Sequence, residues 1–282
     1  MLNLQKLKID PFVEELRRAY KMSFGSMNAD IEEILAWAGH LALENLANTD
    51  ALYHNIDHTI MVTLAGQEIL KGRQLNHGGI TPRDWLNFVV ALLCHDIGFV
   101  KGVCRKDHFG KYDDGFGKMV DIDENGTSAL LTPYHVDRGK LFIKERFSNN
   151  PMVDAKIIRS YIEVTRFPIP EGQENAQNNS LHELVRAADF IGQLGDPNYF
   201  LKLSNLFYEF DELGMLKQFG YKNPGHMRAN FATFFWNVVN PYIQKALGYL
   251  EVTQEGKEWI TNLHSHVFAS EHYMDWMKQT ME

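Results

Sequence analysis

Cysteine is nearly absent: Cys94 and Cys104 are the two in 282 residues. Two thiols make no disulfide framework, so a reduced, cytoplasmic setting is expected. Cys94 lies in an apolar run and reads as a small core residue. A positive excess is lacking too. The 28 Lys and Arg stand against 36 Asp and Glu, a formal net charge of −8, which argues against a binder of extended nucleic acid. No apolar run approaches the roughly 18 residues that a membrane span requires. The opening MLNLQKLKIDPFVEELRR lacks the apolar stretch of a signal peptide. A Gly-rich phosphate loop and a Gly-x-Ser-x-Gly elbow are also missing, which sets aside P-loop and serine-hydrolase chemistry. No clear alternating strand pattern is seen.

What is present is helical periodicity. In NADIEEILAWAGHLALENLAN the apolar positions keep to one side, behind a cap at Asn28 or Asp30. IDHTIMVTLAGQEILKGRQL reads as a second helix. TPRDWLNFVVALLCHD opens with a Thr cap and a Pro at the first helical position, and TPYHVDRGKLFIKERF repeats that start. MVDAKIIRSYIEVTRF, SLHELVRAADFIGQL and RANFATFFWNVVNPYIQKALGYL follow, then a last helix over about 254–278. Two breaks, 100–127 and 168–180, are rich in Gly, Asp and Asn; the first is long enough to form part of a site. The expectation is an all-α chain in one domain, with a core over about 28–200 and the helices of 201–282 packed on it.

Three stretches carry chemistry. LYHNIDHT (52–59) places His54 and His58 four apart. LLCHDIGF (92–99) ends an apolar helix in His95-Asp96. A buried carboxylate needs a counter-charge or a metal, because its desolvation is costly. Asp189 shares a helical face with Leu181, Val185 and Ala188, so a carboxylate points with the apolar stripe. Taken singly, each has a plain structural reading: local hydrogen bonds at a helix end for His95-Asp96, an ion pair with Arg159 or Arg186 for Asp189. Together, His58, His95, Asp96 and Asp189 offer two imidazoles and two carboxylates from three helices. That mixed set suits a divalent cation such as Mg²⁺, Mn²⁺, Fe²⁺, Zn²⁺ or Co²⁺ with positions left for water.

The order His…His-Asp…Asp on helices resembles the HD-domain superfamily of metal-dependent phosphohydrolases. The stretch YHNIDH brings the likeness closer to its cyclic-nucleotide phosphodiesterase-like branch. The resemblance implies an all-α HD-type bundle. It makes His54 the general acid and His58, His95, Asp96 and Asp189 the metal ligands, with Asp96 able to bridge a second metal. The implied substrate is a small phosphorylated molecule, a nucleotide or cyclic nucleotide, and a homo-oligomer is compatible with it. Two positions depart from that branch. Phe99 stands where a further His helps to hold a second metal, and Phe231 stands at the purine-reading Gln. Phe234, ahead of Pro241, is a candidate aromatic clamp.

Other candidates lie between the motifs. His135, at a helix start, could be a ligand or a substrate contact, or simply exposed. His108 and Glu163 are further candidate ligands, with surface positions as the alternative. Lys111, Arg138 and Arg166 could bind phosphate or be solvated side chains. DIDENGT (121–127) opens like a calcium loop, with Asp121, Asp123, Asn125 and Gly126 in register, but its twelfth position is Thr132 where a Glu is required, so an Asp/Asn/Gly turn is expected. Besides hydrolysis, two alternatives stand: a di-iron oxygenase of HD type, similar to inositol oxygenase and needing His135 plus one more ligand, and a non-catalytic metal-containing binding module.

Overall fold

The computed structural model describes residues 3–170 and 180–280, the last helix by backbone alone beyond 272. The architecture is all-α, as the periodicity implies. In chain order come α1 (Lys6–Phe24), α2 (Ala29–Leu46), α3 (Ile56–His77), α4 (Pro82–Cys94), α5 (His135–Phe147), α6 (Ala155–Glu163), α7 (Ser180–Leu194) and α8 (Tyr199–Glu212). Three short helices follow, α9 (Leu216–Phe219), α10 (Pro224–Ala229) and α11 (Phe231–Phe234), then α12 (Asn240–Leu250) and α13 (Gln254–Thr280). One hydrophobic cluster runs from Ile9 of α1 to Val267 of α13 and includes Ile243 of α12. Among the described residues no helix is long and apolar enough to cross a membrane.

Local chemistry sets the helix starts. Thr81 caps α4 in a reciprocal box with Asp84, and Pro82 occupies the first turn. Asn55 caps α3 by accepting from the backbone N–H groups of Asp57 and His58. The cap expected at Asn28 or Asp30 is not formed: Asn28 sits at φ 55 with no side-chain cap and serves to turn the chain out of α1. The start expected at Thr132-Pro133 is displaced to His135, because the Thr132 hydroxyl closes the preceding 3₁₀ turn by donating to the Ala129 carbonyl at 2.6 Å. The helix expected over 228–250 is broken by a π turn, Phe235–Val239, ahead of α12. Pro241 has no N–H for the carbonyl four residues back, so the ladder shifts register there. α1 and α8 were not singled out by the periodicity.

α3 and α7 pack closely along their length. Gly192 permits it, since a Cβ at that position would overlap the Val62 backbone. Gly98 does the same where the chain leaves α4: a Cβ there would overlap the His135 carbonyl. That contact draws the start of α5 against the His95-Asp96 end of α4.

The 100–127 break is an ordered excursion. It holds an antiparallel hairpin, β1 (Lys111–Asp113) and β2 (Met119–Asp121), registered Tyr112 to Val120. Asp123 folds the expected turn, accepting from the Asn125 N–H at 2.9 Å. Of the 168–180 break, residues 171–179 lie outside the described residues. The excursion is pinned by Arg138 of α5, which is fully buried. Arg138 donates to both carboxylate oxygens of buried Asp107, at 3.1 and 2.9 Å, and to the carbonyls of Gly98, Val100 and Asp113. Arg138 is thus a structural residue, and the phosphate-binding expectation for it is withdrawn. Removing one partner of such a pair strands the other charge. Arg138→Met is expected to cost roughly 3–5 kcal/mol, read as a lower urea midpoint at unchanged slope; an unchanged midpoint would refute this role.

Candidate metal centre and cavity

His58 projects from the first turn of α3, His95 and Asp96 follow the last residue of α4, and Asp189 stands on α7. The helix crossing brings all four to one point. His58 Nε2 lies 3.2 Å from Asp96 Oδ2 and 3.6 Å from Asp189 Oδ1. His95 Nε2 lies 3.1 and 3.6 Å from the same two oxygens. The two Nε2 atoms face each other at 3.3 Å. The cluster is buried, with Asp189 alone substantially exposed at 20% of its side chain. Asp189 therefore turns to the imidazoles and not to the arginines considered for it; Arg186 instead donates Nε–H to the Val164 carbonyl.

The donor set fits a cation. The His95 Nδ1–H donates to the Leu92 carbonyl at 2.7 Å, which fixes the ring and aims Nε2 at the cluster. Asp96 Oδ2, although close to both imidazoles, has no donor in hydrogen-bond geometry. Ligand atoms of His58, His95 and Asp189 lie within 4.8 Å of one another, a spacing that could hold a metal ion. The electrostatics agree. Burial penalises the His95 imidazolium, but the Asp96 and Asp189 carboxylates outweigh it and push its pKa up to about 9. His58 is likewise raised against burial, by Asp189 and Asp96. Burial works to raise Asp96, yet the His95 and His58 imidazoles hold it well below the usual carboxylate range. The site prefers positive charge among its carboxylates, whether from protons or from a cation.

Beside the cluster stands His54, just ahead of α3. Its partner is Glu209 of α8, a residue the sequence reading missed. Glu209 Oε2 meets His54 Nδ1 at 2.6 Å, and Oε1 accepts the Tyr53 N–H at 2.6 Å and the His54 N–H at 3.3 Å. The Glu209 side chain is 1% exposed. Asp57, considered as an orienter of His54, pairs with Lys8 at 2.8 Å instead. Burial opposes the His54 imidazolium, but Glu209 outweighs it and raises the His54 pKa. Burial also opposes the Glu209 carboxylate, and His54 with the two backbone N–H groups lowers it.

His135 belongs to the site and is not an exposed helix-start residue. Its Nδ1–H donates to the Thr132 carbonyl at 2.6 Å, and its Nε2 lies 3.9 Å from Asp96 Oδ1. Burial lowers its pKa despite Asp96. Phe99 is sandwiched between the two outer imidazoles, with ring centroids 4.5 Å from His54 at 12° and 4.5 Å from His135 at 21°. The remaining candidates fall elsewhere. His108 is exposed in the hairpin excursion, bonded to the Lys106 carbonyl, and Lys111 pairs with Asp121. Glu163 is taken by Lys140 and Arg166. Arg166 lines the cavity, but its guanidinium is committed to Glu163 and Asp137.

The cluster opens into a cavity of about 150 Å³. Its walls include His54, Phe99 and His135 on one part and Phe190, Phe231 and Phe234 on another. Phe234, the expected clamp, is thus present in the wall, and so is Phe231.

The His54–Glu209 pair sets a pH dependence. The raised His54 pKa stabilises the fold fully below the unfolded value of about 6.5 and loses this as pH rises through the folded value. The lowered Glu209 pKa stabilises above about 4.3 and loses this as pH falls through the folded value. Glu209→Gln is expected to lower the His54 pKa in an NMR titration and to reduce stability most between those limits. A His54 titration that does not move would show that the carboxylate is not its partner in solution.

A comparison with curated proteins finds no match. A family model described as Npun_R2479-like matches residues 2–273, and the chain belongs to that family.

Proposed function

We propose that this chain is a metal-dependent phosphohydrolase of HD type, cleaving a small phosphomonoester or phosphodiester with water. One observation carries the reading: four ligand side chains, three of them buried, converge at a cavity beside an imidazole whose proton is held by a buried carboxylate. His58, His95, Asp96 and Asp189 would hold a divalent cation. When bound, such an ion lowers the pKa of a water molecule and polarises a phosphoryl oxygen.

The side chains supply the rest. Glu209 keeps His54 protonated on Nδ1 and orients Nε2 as the donor. The water oxygen forms a new bond to phosphorus, and the bond from phosphorus to the leaving oxygen breaks. Its electron pair stays on that oxygen, which takes the Nε2 proton of His54; the water releases a proton to solvent, and His54 recovers one from solvent. His135, held neutral by burial, contributes a lone pair and no competing acid. Phe99 fixes both outer rings. The metal centre, the phosphorylated substrate and the activity are parts of one reading and are tested together.

His135 also supports a second reading. His135 and Asp96, with Nε2 3.9 Å from Oδ1, would be residues able to hold a second ion, which an HD-type oxygenase would need. Metal analysis separates the two: two irons per chain would favour oxygenation, and one labile Mn, Mg, Zn or Co would favour hydrolysis.

The test is phosphate release from phosphomonoesters, cyclic nucleotides and dinucleotides with each of several metals. Asp96→Ala is expected to abolish release and to lower bound metal at least about tenfold, measured by elemental analysis of the folded protein. His54→Ala is expected to slow substrates with poor leaving groups by roughly 10²–10⁴-fold and to spare a nitrophenyl ester. Equal losses on both would remove His54 as the acid. A folded, metal-loaded protein that cleaves nothing would leave the binding-module reading in place of the hydrolase.

A further inference from the structure

Several polar groups of the cavity wall are already bonded within the protein. The Thr132 hydroxyl donates to Ala129 and the Thr165 hydroxyl to Ile162, at 2.6 and 2.9 Å. Arg166 is neutralised by Glu163 and Asp137. Outside the histidine cluster, the described wall residues offer a ligand the Gln193 amide, the Tyr221 hydroxyl and one cation without a carboxylate partner, Arg186. Among the described residues Arg186 has no carboxylate within ion-pair distance; its Nε donates to Val164, and its guanidinium lies 5.2 Å over the Tyr242 ring. Its remaining N–H groups suit an anion. Arg186 is three residues before Asp189 on α7, so the two are neighbours on one face of the helix.

The rest of the wall is hydrocarbon. Phe167 meets Phe190 edge-on at 6.4 Å and Phe234 at 6.2 Å, and Leu206, Met215 and Met227 extend the surface. A volume of about 150 Å³ is comparable with an apolar cavity that binds benzene. A purine would bring several ring nitrogens to a wall that is mostly hydrocarbon and could pair few of them, and burying such groups without partners is unfavourable. An aryl or short alkyl group has no such groups to strand.

We infer that the substrate of this site is the phosphate ester of an apolar alcohol, with its phosphoryl group between the metal-ligand cluster and Arg186 and its aryl or alkyl body against Phe167, Phe190 and Phe234. This rests on the phosphohydrolase reading and narrows it. Hydrolysis consumes one water: the water oxygen bonds to phosphorus, the ester P–O bond breaks with its electron pair on the alcohol oxygen, and that oxygen takes the His54 proton. The products are the apolar alcohol and inorganic phosphate.

Titration calorimetry on the full chain tests the ligand class without requiring turnover. Benzyl phosphate is expected to bind at least about tenfold tighter than adenosine monophosphate. Arg186→Gln is expected to weaken benzyl phosphate about tenfold and to leave benzyl alcohol unchanged, with Arg186→Lys recovering part of the loss. Adenosine monophosphate binding as tightly as benzyl phosphate overturns the inference, as does a folded Arg186→Gln that binds benzyl phosphate undiminished. The comparison of the two ligands on the unmodified chain stands even if a variant fails to fold. Tight benzyl phosphate binding without phosphate release would remove the hydrolase reading and keep the ligand class. Release from adenosine monophosphate but not from benzyl phosphate would do the reverse.

Discussion

Two carboxylates and two imidazoles share one buried point at the crossing of α3, α4 and α7, and that charge constraint organises the surrounding structure. Asp96 is 4% exposed and His95 1%, so neither ionised group is stabilised by water. Their charge must be met from within. The imidazoles respond by holding protons more firmly, and they could yield those protons to a cation, which is how metal affinity becomes coupled to pH. The backbone is shaped to keep the four groups together. Asn55 starts α3 so that His58 falls in its first turn, the Leu92 carbonyl fixes the His95 ring, and Gly192 lets α7 approach close enough for Asp189 to reach both imidazoles.

The cations around this point are kept from neutralising it. Arg138 is spent on Asp107 and three carbonyls, and Lys140 and Arg166 are bound into a network with Asp137 and Glu163. A guanidinium paired directly with Asp96 or Asp189 would compete with any metal for the same oxygens. The same pairing ties the 100–127 excursion to α5, so a stability element and the exclusion of cations from the site are one arrangement. Arg186 differs from the others, in that among the described residues it faces the cavity with no carboxylate paired to it.

Much of the site was legible in the sequence because its residues break local rules. His95-Asp96 ends an otherwise apolar helix, and Asp189 interrupts an apolar stripe, so each raised the question of a buried partner. Glu209 breaks the same rule: it follows Leu206 by three residues on an apolar face of α8 and is 1% exposed. It was missed because α8 was not recognised as a helix, and without the helix there was no face for Glu209 to violate. His135 gave an ambiguous signal, since a His at a helix start is ordinary; only the close approach at Gly98, a tertiary contact, brings it to Asp96. The break at 235–239 had a local cause in Pro241, but its effect on the cavity depends on where Phe231 and Phe234 come to lie, which no periodicity encodes.

Phe99 shows how a departure from a resemblance can be given a physical meaning. A histidine at this position would add a polar ring to the cluster. A phenyl ring instead fills the space between His54 and His135 and stacks on both, each aromatic contact worth about 0.5–1.5 kcal/mol. The two imidazoles it separates are pushed in opposite directions: Glu209 raises His54, and burial lowers His135. A nonpolar spacer offers no hydrogen bond that could pass a proton between them, so their protonation states stay distinct. It also favours the charged form of His54, since an imidazolium over a phenyl face gains cation–π attraction. One residue thus keeps an imidazole of raised pKa and one of lowered pKa apart beside the same cluster, an arrangement that a polar ring at position 99 would tend to equalise.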